Sequence, residues 1–395
     1  MEQRHRTRVA VIGAGPAGLL LALLLAAREV PFVVVEHRSR EHVLGRVRAR
    51  VLEQSSVEVL ESLGLADGLH AEGLVHCGIF LQHEGERFHV DFEELVGRTV
   101  TVYGQQRVQA DLMAAHDARG SAVFYDADTV TPSATGEAAT VRFGFDGEQH
   151  EVVADFVVGA DGYHGVTKTL IPAAVLVPTE RAYDAAWLGI LADVPPSTDE
   201  LIYALHRDGF AMHSMRSPSL SRLYMQVAPD ERIEDWSDDR IWDALDTRLG
   251  TPGWTLEHGP ITEKSITQMR SSVVSALAHE RAFLAGDAGH IVPPTGAKGL
   301  NSAIADVAML EDAPGHRRWR SPPPRPQRSS RSHSAHPPGV EEGALRPARG
   351  RAPSARGAAL ASAPQSRPPR HGTNGLSPET RRPRRRRRPG RSGRR

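Results

Sequence analysis

The chain has 395 residues and a single cysteine, Cys77, and its 48 Lys plus Arg balance 48 Asp plus Glu. This length allows two or three domains with a substantial core. One cysteine excludes an internal disulfide framework, offers no metal-ligand spacing, and fits a reducing, cytoplasmic compartment. The zero net charge hides two unlike parts, because residues 1–310 carry a net charge of −17 and residues 311–395 carry +17.

The first predicted element is an apolar strand that runs into a glycine-rich loop within VAVIGAGPAG, Val9–Gly18, and is followed by the apolar helix pattern Leu19–Ala27. In a G-x-G-x-x-G loop the three glycines allow a tight turn, close approach of a pyrophosphate, and close packing of helix on strand. The helix N-terminus then presents free N–H groups to the anion. This segment therefore predicts a dinucleotide site.

A second predicted strand, Pro31–Val35, ends in Glu36, about twenty residues past the loop, where a carboxylate can accept hydrogen bonds from a ribose. The charge-free run Val9–Ala27 follows a basic N-terminus and superficially resembles a signal peptide or a membrane span. Pro16 and the glycines interrupt it, and a second strand follows at once. A cytoplasmic βαβ unit, with no membrane association, explains all of these features.

After Glu36 the chain has an arginine-rich segment, then a helix pattern and then a hairpin pattern. The arginines beside the expected nucleotide could hold phosphates or form a solvated loop; they are Arg38, Arg40, Arg46, Arg48 and Arg50. An amphipathic helix is predicted over Val51–Leu63, and an antiparallel hairpin with Gly85 in its turn follows. A strand over Thr99–Gln105 leads to a helix near Val108–Ala118.

In two later segments a predicted strand is followed by an acidic residue. Asp161 follows the apolar strand of DFVVGADGYHG, and Asp287 follows that of RAFLAGDAGH. Strand ends of this kind deliver carboxylates to the carboxyl edge of an open α/β sheet, where ligands bind. The loop Pro293–Gly299 then leads to a helix that starts near Gly299 or Leu300, and its N-terminus can stabilise negative charge.

Between these segments, residues 187–227 have a β-like alternation that is typical of a sheet with one face on a core and the other on a cavity or solvent. A helix is predicted over Asp235–Leu249. Two arginines, two tyrosines and a serine of this sheet could hold a small aromatic carboxylate, or they could be exposed strand residues. They are Tyr203, Ser214, Arg216, Arg222 and Tyr224.

Three motifs, GAGPAG, GADGYHG and LAGDAGHIVPPTGAKGLN, occur in this order, and the combination resembles the single-component FAD-dependent aromatic hydroxylases. The resemblance runs from about Val9 to Leu310. It implies an α/β fold: a Rossmann-like FAD-binding domain over residues 1–180 and 268–310, and a mostly antiparallel substrate domain over residues 181–267. Residues 71–97 are expected to join the substrate side.

Segments such as VLGRVRARVLEQ, WLGILAD and EDWSDDR narrow the resemblance to members that act on 4-hydroxybenzoate. The implied reaction forms 3,4-dihydroxybenzoate from 4-hydroxybenzoate, O2 and either NADPH or NADH, through a flavin C4a-hydroperoxide. Two alternatives stay open. The chain could hydroxylate another aromatic acid, or it could be a non-catalytic flavin-binding or nucleic-acid-binding protein that uses its basic tail.

The resemblance also implies roles for individual residues. The FAD residues would be Gly13, Gly15, Ala17, Gly18, Glu36, Arg46, Val47, Arg48, Ala49, Arg50, Val51, Gln105, Asp161, Asp287, Leu300 and Asn301. The substrate residues would be Tyr203, Ser214, Arg216, Arg222, Tyr224 and the carbonyl of Pro294. Catalysis would use Tyr203, Arg216, Pro294 and His76, with His76 at the outer end of a proton relay. NAD(P)H would meet Arg38, His164 and Arg270.

Two positions depart from the family pattern. Arg50 stands beside the flavin where the family has glycine, so a bulky side chain there would crowd the ring or swing outward. The segment after Glu36 also differs and includes Arg38, which could pair with a 2′-phosphate. The choice between NADPH and NADH therefore stays open.

Residues 311–395 contain no Phe, Tyr, Ile, Met, Cys or Lys and end in RRPRRRRRPGRSGRR. Such a segment cannot bury enough apolar surface to offset chain entropy, so we expect disorder. Its arginines could contact nucleic-acid phosphates, but our preferred interpretation is a GC-rich coding sequence read out of frame after a frameshift near codon 311. We therefore do not expect nucleic acid as a partner. We expect the chain to be poorly folded or inactive, and to lack much of the homodimer contact that the resemblance implies.

Overall fold

The glycine-rich loop and the substrate strands lie on two separate sheets of a computed structural model that describes residues 2–45 and 51–312. The strands are β1 (Glu2–Ile12), β2 (Phe32–Val35), β3 (Val51–Glu53), β4 (Leu74–His76), β5 (Gly78–His83), β6 (Glu86–Asp91), β7 (Val100–Val102), β8 (Val123–Phe124), β9 (Asp128–Ser133), β10 (Ala139–Phe145), β11 (Glu148–Gly159), β12 (Pro178–Ala192), β13 (Ile202–His206), β14 (Gly209–Ser217), β15 (Leu220–Val227), β16 (Ile261–Val274), β17 (Ala278–His279), β18 (Ala282–Leu284) and β19 (His290–Ile291). The helices are α1 (Pro16–Ala27), α2 (Arg40–Leu44), α3 (Gln54–Ser62), α4 (Asp67–Glu72), α5 (Phe92–Val96), α6 (Gln105–Arg119), α7 (Asp238–Leu249) and α8 (Lys298–Asp312). The predicted FAD segment Arg46–Arg50 and the predicted tail beyond residue 312 lie outside the described residues.

The first sheet carries the predicted nucleotide signature. Its strand order is β17-β18-β11-β1-β2-β8, and β10 pairs with β11 while β9 pairs with β10. The strands β18, β11, β1, β2 and β8 run parallel, so their carboxyl ends meet at one edge. The helix α1 is apolar on all sides because it packs in one core cluster with residues of the sheet, of α6 and of α8. This arrangement confirms the predicted βαβ unit and the α/β fold class.

The second sheet carries the predicted substrate residues. Its order is β19-β16-β12-β15-β14-β13-β5-β6, and every pairing is antiparallel except that of β13 with β5. One face packs against α7, where Leu223 and Met225 meet Ile241 and Leu245. The hairpin β5–β6 is present as predicted, with Gly85 in the left-handed region at φ +85°.

A third, three-stranded sheet has the order β3-β7-β4 and corrects one helix prediction. Residues 51–53 form a strand that pairs with β7, so the helix predicted from Val51 begins only at Gln54. An amphipathic pattern could not reveal this pairing, because the partner strand lies about fifty residues further along the chain. The helices α6 and α8 also begin slightly earlier than predicted, at Gln105 and Lys298.

The charge-free run Val9–Ala27 is divided between β1 and the twelve-residue helix α1. Among the residues that the structure describes, no helix is both long enough and apolar enough to cross a membrane.

Candidate functional site

The loop between β1 and α1 has an open cradle at the N-terminus of α1. Gly13 has φ +107°, and a Cβ atom there would lie 2.3 Å from the carbonyl oxygen of Ala160. A Cβ atom at Gly18 would lie 1.9 Å from the carbonyl oxygen of Gly13. Both positions therefore require glycine for packing. Gly15 differs, because a Cβ atom there would meet no heavy atom within 4 Å.

The space beside Gly15 is suited to an anion. Gly15 is the N-cap of α1, and within the described part of the chain no side chain caps that helix terminus. Ala17 lies in the first turn, which carries no acidic residue. The unpaired N–H groups and the helix dipole attract negative charge. The cradle therefore fits the pyrophosphate of a dinucleotide.

Glu36 lies at the end of β2, beside this cradle, and is buried. Its Oε2 atom accepts a hydrogen bond from the N–H of Ala14 at 2.7 Å, and its Oε1 atom accepts one from the N–H of Arg38 at 2.8 Å. A carboxylate can accept about four hydrogen bonds. Two backbone donors thus fix the carboxylate and leave acceptor capacity for ribose hydroxyls.

Asp161 follows β11 at the same edge, but its carboxylate closes its own turn. It accepts hydrogen bonds from the N–H and the hydroxyl of Thr167, at 2.9 and 2.5 Å. Burial raises the pKa of Asp161 above its ordinary value, although these hydrogen bonds oppose the shift. The side chain shapes the loop, and its predicted contact with FAD stays a prediction.

Two of the three predicted NAD(P)H residues follow strands that flank β1, and the third, Arg270, lies in β16. Arg38 comes after β2 and His164 after β11, and both are exposed. The guanidinium of Arg270 lies 4.6 Å from the ring centroid of Tyr163, the neighbour of His164. The ammonium of Lys168 lies 4.2 Å from the centroid of the same ring. Sequence reasoning missed Lys168, although it lies only four residues past His164.

Asp287 and Asn301 lie on either side of the loop that follows β18. Asp287 lies in the turn Gly286–Ala288. The amide of Asn301 accepts from the N–H of Glu53 and the hydroxyl of Ser56 and donates to the carbonyls of Val51 and Ala297, at 2.7–3.0 Å. These four bonds use the full capacity of the amide.

The Asn301 side chain thus fastens β3 and α3 to the start of α8. Because its amide is fully bonded, Asn301 could contact FAD only through its backbone. The same holds for Leu300, because its side chain is buried in the core. Gln105 begins α6, and Val51 packs beside the substrate face described next.

Four of the five predicted substrate residues in the second sheet share one face by register. Ser214 lies opposite Arg222, Tyr224 lies opposite Met212, and Met212 lies opposite Tyr203. Directly paired residues of adjacent strands project to the same side of a sheet. Arg216 is two residues past Ser214, where the register shifts. The polar residues therefore come from three adjacent strands.

This face is opposite to the one covered by α7. Its apolar residues are Trp187, Leu201, Met212, Met215 and Met269, which pack with Val102 of the third sheet and with partly buried Val51, Tyr203 and Tyr224. The Trp187 ring lies 4.9 Å from the Tyr224 ring and 5.7 Å from the Phe210 ring. The site is thus an aromatic surface with a few polar groups, as small-molecule sites commonly are.

The two arginines give this surface an excess of positive charge. Burial and the charge of Arg222 lower the pKa of Arg216, which makes no ion pair with any residue that the structure describes. The Nη1 atom of Arg222 lies 3.6 Å from Glu263 Oε1, and the carboxylate side chain is 51% exposed. The Nε atom of Arg222 is buried without a partner among the described residues. A bound carboxylate would compensate both guanidinium groups.

Gly189 is a site residue that sequence reasoning missed. It lies opposite Tyr224, and a Cβ atom there would approach Arg222 Nη2 to 3.0 Å and Tyr224 Cε1 to 3.1 Å. Glycine therefore leaves room for both side chains to lie over β12. The available signal was a glycine in the interior of the predicted strand WLGILAD.

The remaining catalytic predictions concern Tyr203, His76 and Pro294. Burial raises the pKa of Tyr203, so it stays a phenol and can donate a hydrogen bond. His76 is 1% exposed, and neither ring nitrogen has a partner within the described ranges. Burial lowers its pKa, while Glu200 and Asp199 oppose the shift. The carbonyl of Pro294 accepts a hydrogen bond from the N–H of Ala297 at 3.1 Å and can accept another.

Comparison with known proteins gives one family and several relatives. Residues 6–313 match the FAD binding domain family. The chain is 46% identical over 313 residues to the p-hydroxybenzoate hydroxylase of Acinetobacter baylyi, and the match covers 79% of this chain and 78% of that protein. It is 28% identical to the 3-(3-hydroxy-phenyl)propionate/3-hydroxycinnamic acid hydroxylase of Paraburkholderia xenovorans, over 76% of this chain and 48% of that protein.

Solved structures show the same fold at lower identity. PqsL from Pseudomonas aeruginosa, in complex with 2-aminobenzoylacetate, superposes with a TM-score of 0.68 at 20% identity and covers 78% of this chain and 86% of its own. The p-nitrophenol 4-monooxygenase PnpA from Pseudomonas putida has a TM-score of 0.66 at 19% identity, with coverage of 78% and 79%. At such identities the likeness concerns the fold.

Proposed function

We propose a specific reaction for this chain, which belongs to the FAD binding domain family and is a flavoprotein hydroxylase of aromatic compounds. The reaction is hydroxylation of 4-hydroxybenzoate to 3,4-dihydroxybenzoate with O2 and NAD(P)H. The observation that carries the proposal is the aromatic face that Arg222 shares with Ser214, Tyr203 and Tyr224, with Arg216 two residues past Ser214 on the same strand.

The substrate has one anionic end and one phenolic end, and the face offers a group for each. Arg216 forms no ion pair with the described residues, although the charge of Glu263 acts on it, and it lies on β14 two residues past Ser214. A guanidinium matches a carboxylate bidentately. Tyr203 lies two strands away from Tyr224, with Met212 between them, and would meet the phenolic oxygen. Holding both ends fixes the ring for reaction at one carbon.

FAD, when bound, supplies the redox chemistry, and the protein supplies orientation, charge and proton control. Tyr203 stays protonated because burial raises its pKa, so it donates a hydrogen bond that favours ionisation of the phenol. An ionised phenol is more easily attacked at the adjacent carbon. The half-buried guanidinium groups favour negative charge that develops on the ligands beside them.

For the reductant, we infer that NAD(P)H binds near the edge where β2 and β11 end. Arg38, His164 and Arg270 would contact it, together with Lys168, whose ammonium lies over the Tyr163 ring and donates a hydrogen bond to the Tyr163 carbonyl at 2.9 Å. Burial lowers the pKa of Lys168, while the charges of Asp161, Glu180 and Asp287 oppose the shift. The two guanidinium groups, the ammonium group and the imidazole fit a phosphate-bearing ligand.

The test separates recognition from turnover. The FAD-loaded chain is titrated with 4-hydroxybenzoate, with 3-hydroxybenzoate and with 2-hydroxybenzoate while flavin absorbance is followed, and products formed with NADPH or NADH are identified by chromatography. Tightest binding of 4-hydroxybenzoate, and 3,4-dihydroxybenzoate as the product of any turnover, supports the proposal. Tighter binding of either isomer would assign the chain to another aromatic acid.

A further inference from the structure

The side chains of Asp306 and His290 form a pair that contacts the turn that carries Asp287. Asp306 projects from α8, and its Oδ2 atom accepts hydrogen bonds from the N–H of Gly286 and from Nε2 of His290, both at 2.7 Å. The side chains of Asp306 and His290 are only 11% and 14% exposed. One carboxylate oxygen therefore holds both ends of the Gly286–His290 segment, with Asp287 between them.

The Gly286–Ala288 turn also packs between the helices α1 and α8. Gly286 has φ +60°, and a Cβ atom there would lie 3.2 Å from the Cβ atom of Ala303 in α8 and 3.4 Å from that of Ala17 in α1. The N–H of Ala285 donates to the carbonyl of Gly159 at 2.9 Å, which ties the turn to the end of β11. A displacement of the turn would thus change the packing of α1 against α8.

His290 connects this turn to the substrate sheet. It begins β19 and pairs with Val273 of β16, and the N–H of Val274 donates to the carbonyl of Gly289 at 3.0 Å. The same strand β16 carries Glu263, the neighbour of Arg222. The pair therefore lies where the cofactor half and the substrate sheet meet.

The surroundings of His290 favour its protonated form. The hydrogen bond with Asp306, followed by the charges of Asp306 and Asp287, raises the pKa of His290 above its ordinary value, and burial only partly opposes this shift. The facing residue on β16 is Val273, which carries no charge. Charge-assisted hydrogen bonds in a nearly buried setting are stronger than neutral ones. The turn is thus held more firmly than it would be without the bonds to Asp306.

We propose that His290 and Asp306 are positioning residues of the FAD site, which hold the Asp287 turn in the geometry that binds the cofactor. The proposal rests on the FAD binding that forms part of the proposed function. A purely structural pair would stabilise the chain with or without FAD. A positioning pair changes the affinity of the folded chain for FAD, and that difference can be measured.

The experiment uses the full chain and three variants of the pair: Asp306→Asn, His290→Leu and His290→Gln. His258→Leu is the matched control, because His258 Nε2 lies 3.0 Å from Oδ1 of Asp246 on α7, a histidine–carboxylate contact outside the cofactor half. FAD dissociation constants are obtained from the quenching of flavin fluorescence. The melting temperature of each apoprotein is recorded by circular dichroism.

We expect Asp306→Asn and His290→Leu to weaken FAD binding roughly tenfold or more, because each removes a charge-assisted hydrogen bond. His290→Gln keeps an N–H donor and should stay within about threefold of wild type. His258→Leu should leave FAD affinity unchanged. If Asp306→Asn does not fold, the comparison of Leu with Gln at position 290 gives the answer.

Two results would overturn the inference alone. They are wild-type FAD affinity in Asp306→Asn and His290→Leu, or an equal loss of affinity in His258→Leu. A wild-type chain that retains no FAD would instead contradict the cofactor assignment, and the inference with it. The two failures are therefore distinguishable from the wild-type measurement.

Discussion

Ser214 lies directly opposite Arg222 in the antiparallel register of β14 and β15, so the hydroxyl and the guanidinium project from the same face of the substrate sheet. The next pair along these strands on that face is Met212 with Tyr224, and Met212 in turn lies opposite Tyr203. Three strands thus contribute to one strip of polar groups on an otherwise apolar surface. Substitutions within this strip should be non-additive, because residues in contact share partners.

Gly189→Ala should weaken substrate binding and lower the stability of the folded chain. The added methyl group would lie 3.0 Å from Arg222 Nη2 and 3.1 Å from Tyr224 Cε1, so the guanidinium must move. Overpacking of this kind costs about 1–3 kcal/mol of stability. The displaced guanidinium should lower the affinity for the substrate by about fivefold or more, which is about 1 kcal/mol. Flavin absorbance titrations with 4-hydroxybenzoate and thermal unfolding check both parts. Unchanged affinity would show that Arg222 need not lie over β12.

Tyr203→Phe should leave affinity for 4-hydroxybenzoate within about threefold of wild type, since a neutral hydrogen bond contributes only about 0.5–1.5 kcal/mol. Its main effect should be on the pKa of the bound phenol, which rises when the tyrosine donor is lost. The ultraviolet absorbance of the bound ligand, measured against pH, reports this pKa. Identical titration curves for the variant and wild type would contradict the role given to Tyr203.

His213 should make the chain less stable in weakly acidic solution. It is fully buried, its Nε2 atom accepts a hydrogen bond from the N–H of Ser197 at 3.1 Å, and burial lowers its pKa to about 4. The unfolded chain takes up the proton near the ordinary value of 6.5, whereas the folded chain takes it up only near 4. The contribution of neutral His213 to the free energy of unfolding is therefore fully present above pH 6.5 and decreases as the pH falls from 6.5 to 4.

The expected loss across this window is about 3 kcal/mol, at 1.36 kcal/mol for each unit of pKa difference. Urea unfolding of wild type and His213→Gln, at several pH values between 4 and 7, measures it. The variant should show a shallower decline, because it cannot bind this proton. Parallel declines in the two proteins would mean that His213 does not contribute.

Asn301→Ala should destabilise the chain strongly. The substitution removes three hydrogen bonds that join α8 to β3 and α3 and a fourth to the carbonyl of Ala297, and it leaves the N–H of Glu53 and the carbonyl of Val51 without this partner. Buried unsatisfied groups cost about 1–3 kcal/mol each, so the free energy of unfolding should fall by about 2–4 kcal/mol. Gln3→Ala, which removes one exposed hydrogen bond to Glu148, is the control. Equal stabilities would contradict a structural role for the Asn301 amide.

The sequence allowed prediction of features whose signals are local. The turn at Gly13, the carboxylate of Glu36 and the β hairpin at Gly85 each depend on residues close together in the chain. Alternation along a strand determines which side chains share a face, so the shared face of Tyr203, Ser214, Arg222 and Tyr224 was also predictable, while their contacts with substrate stay predictions.

Features that depend on distant partners could not be predicted. Residues 51–53 are a strand only because β7 pairs with them, and the Asn301 amide reaches back to Val51 and Glu53. The need for glycine at position 189 depends on side chains from β15. The carboxylate of Asp161 was expected to face a ligand, and its bonds to Thr167 become visible only once the turn is folded.

The most direct test of the proposed function is the response of the FAD-loaded chain to 4-hydroxybenzoate in wild type and in Arg216→Met. Arg207→Met, at an exposed arginine of the same sheet that pairs with Glu84, is the control. We expect a saturable change in flavin absorbance that weakens about 10- to 150-fold in Arg216→Met, from the loss of about 1.5–3 kcal/mol in charged hydrogen bonds, and is unaffected in the control. An FAD-loaded wild-type chain with no response to 4-hydroxybenzoate, or equal affinity in Arg216→Met, would contradict the proposal.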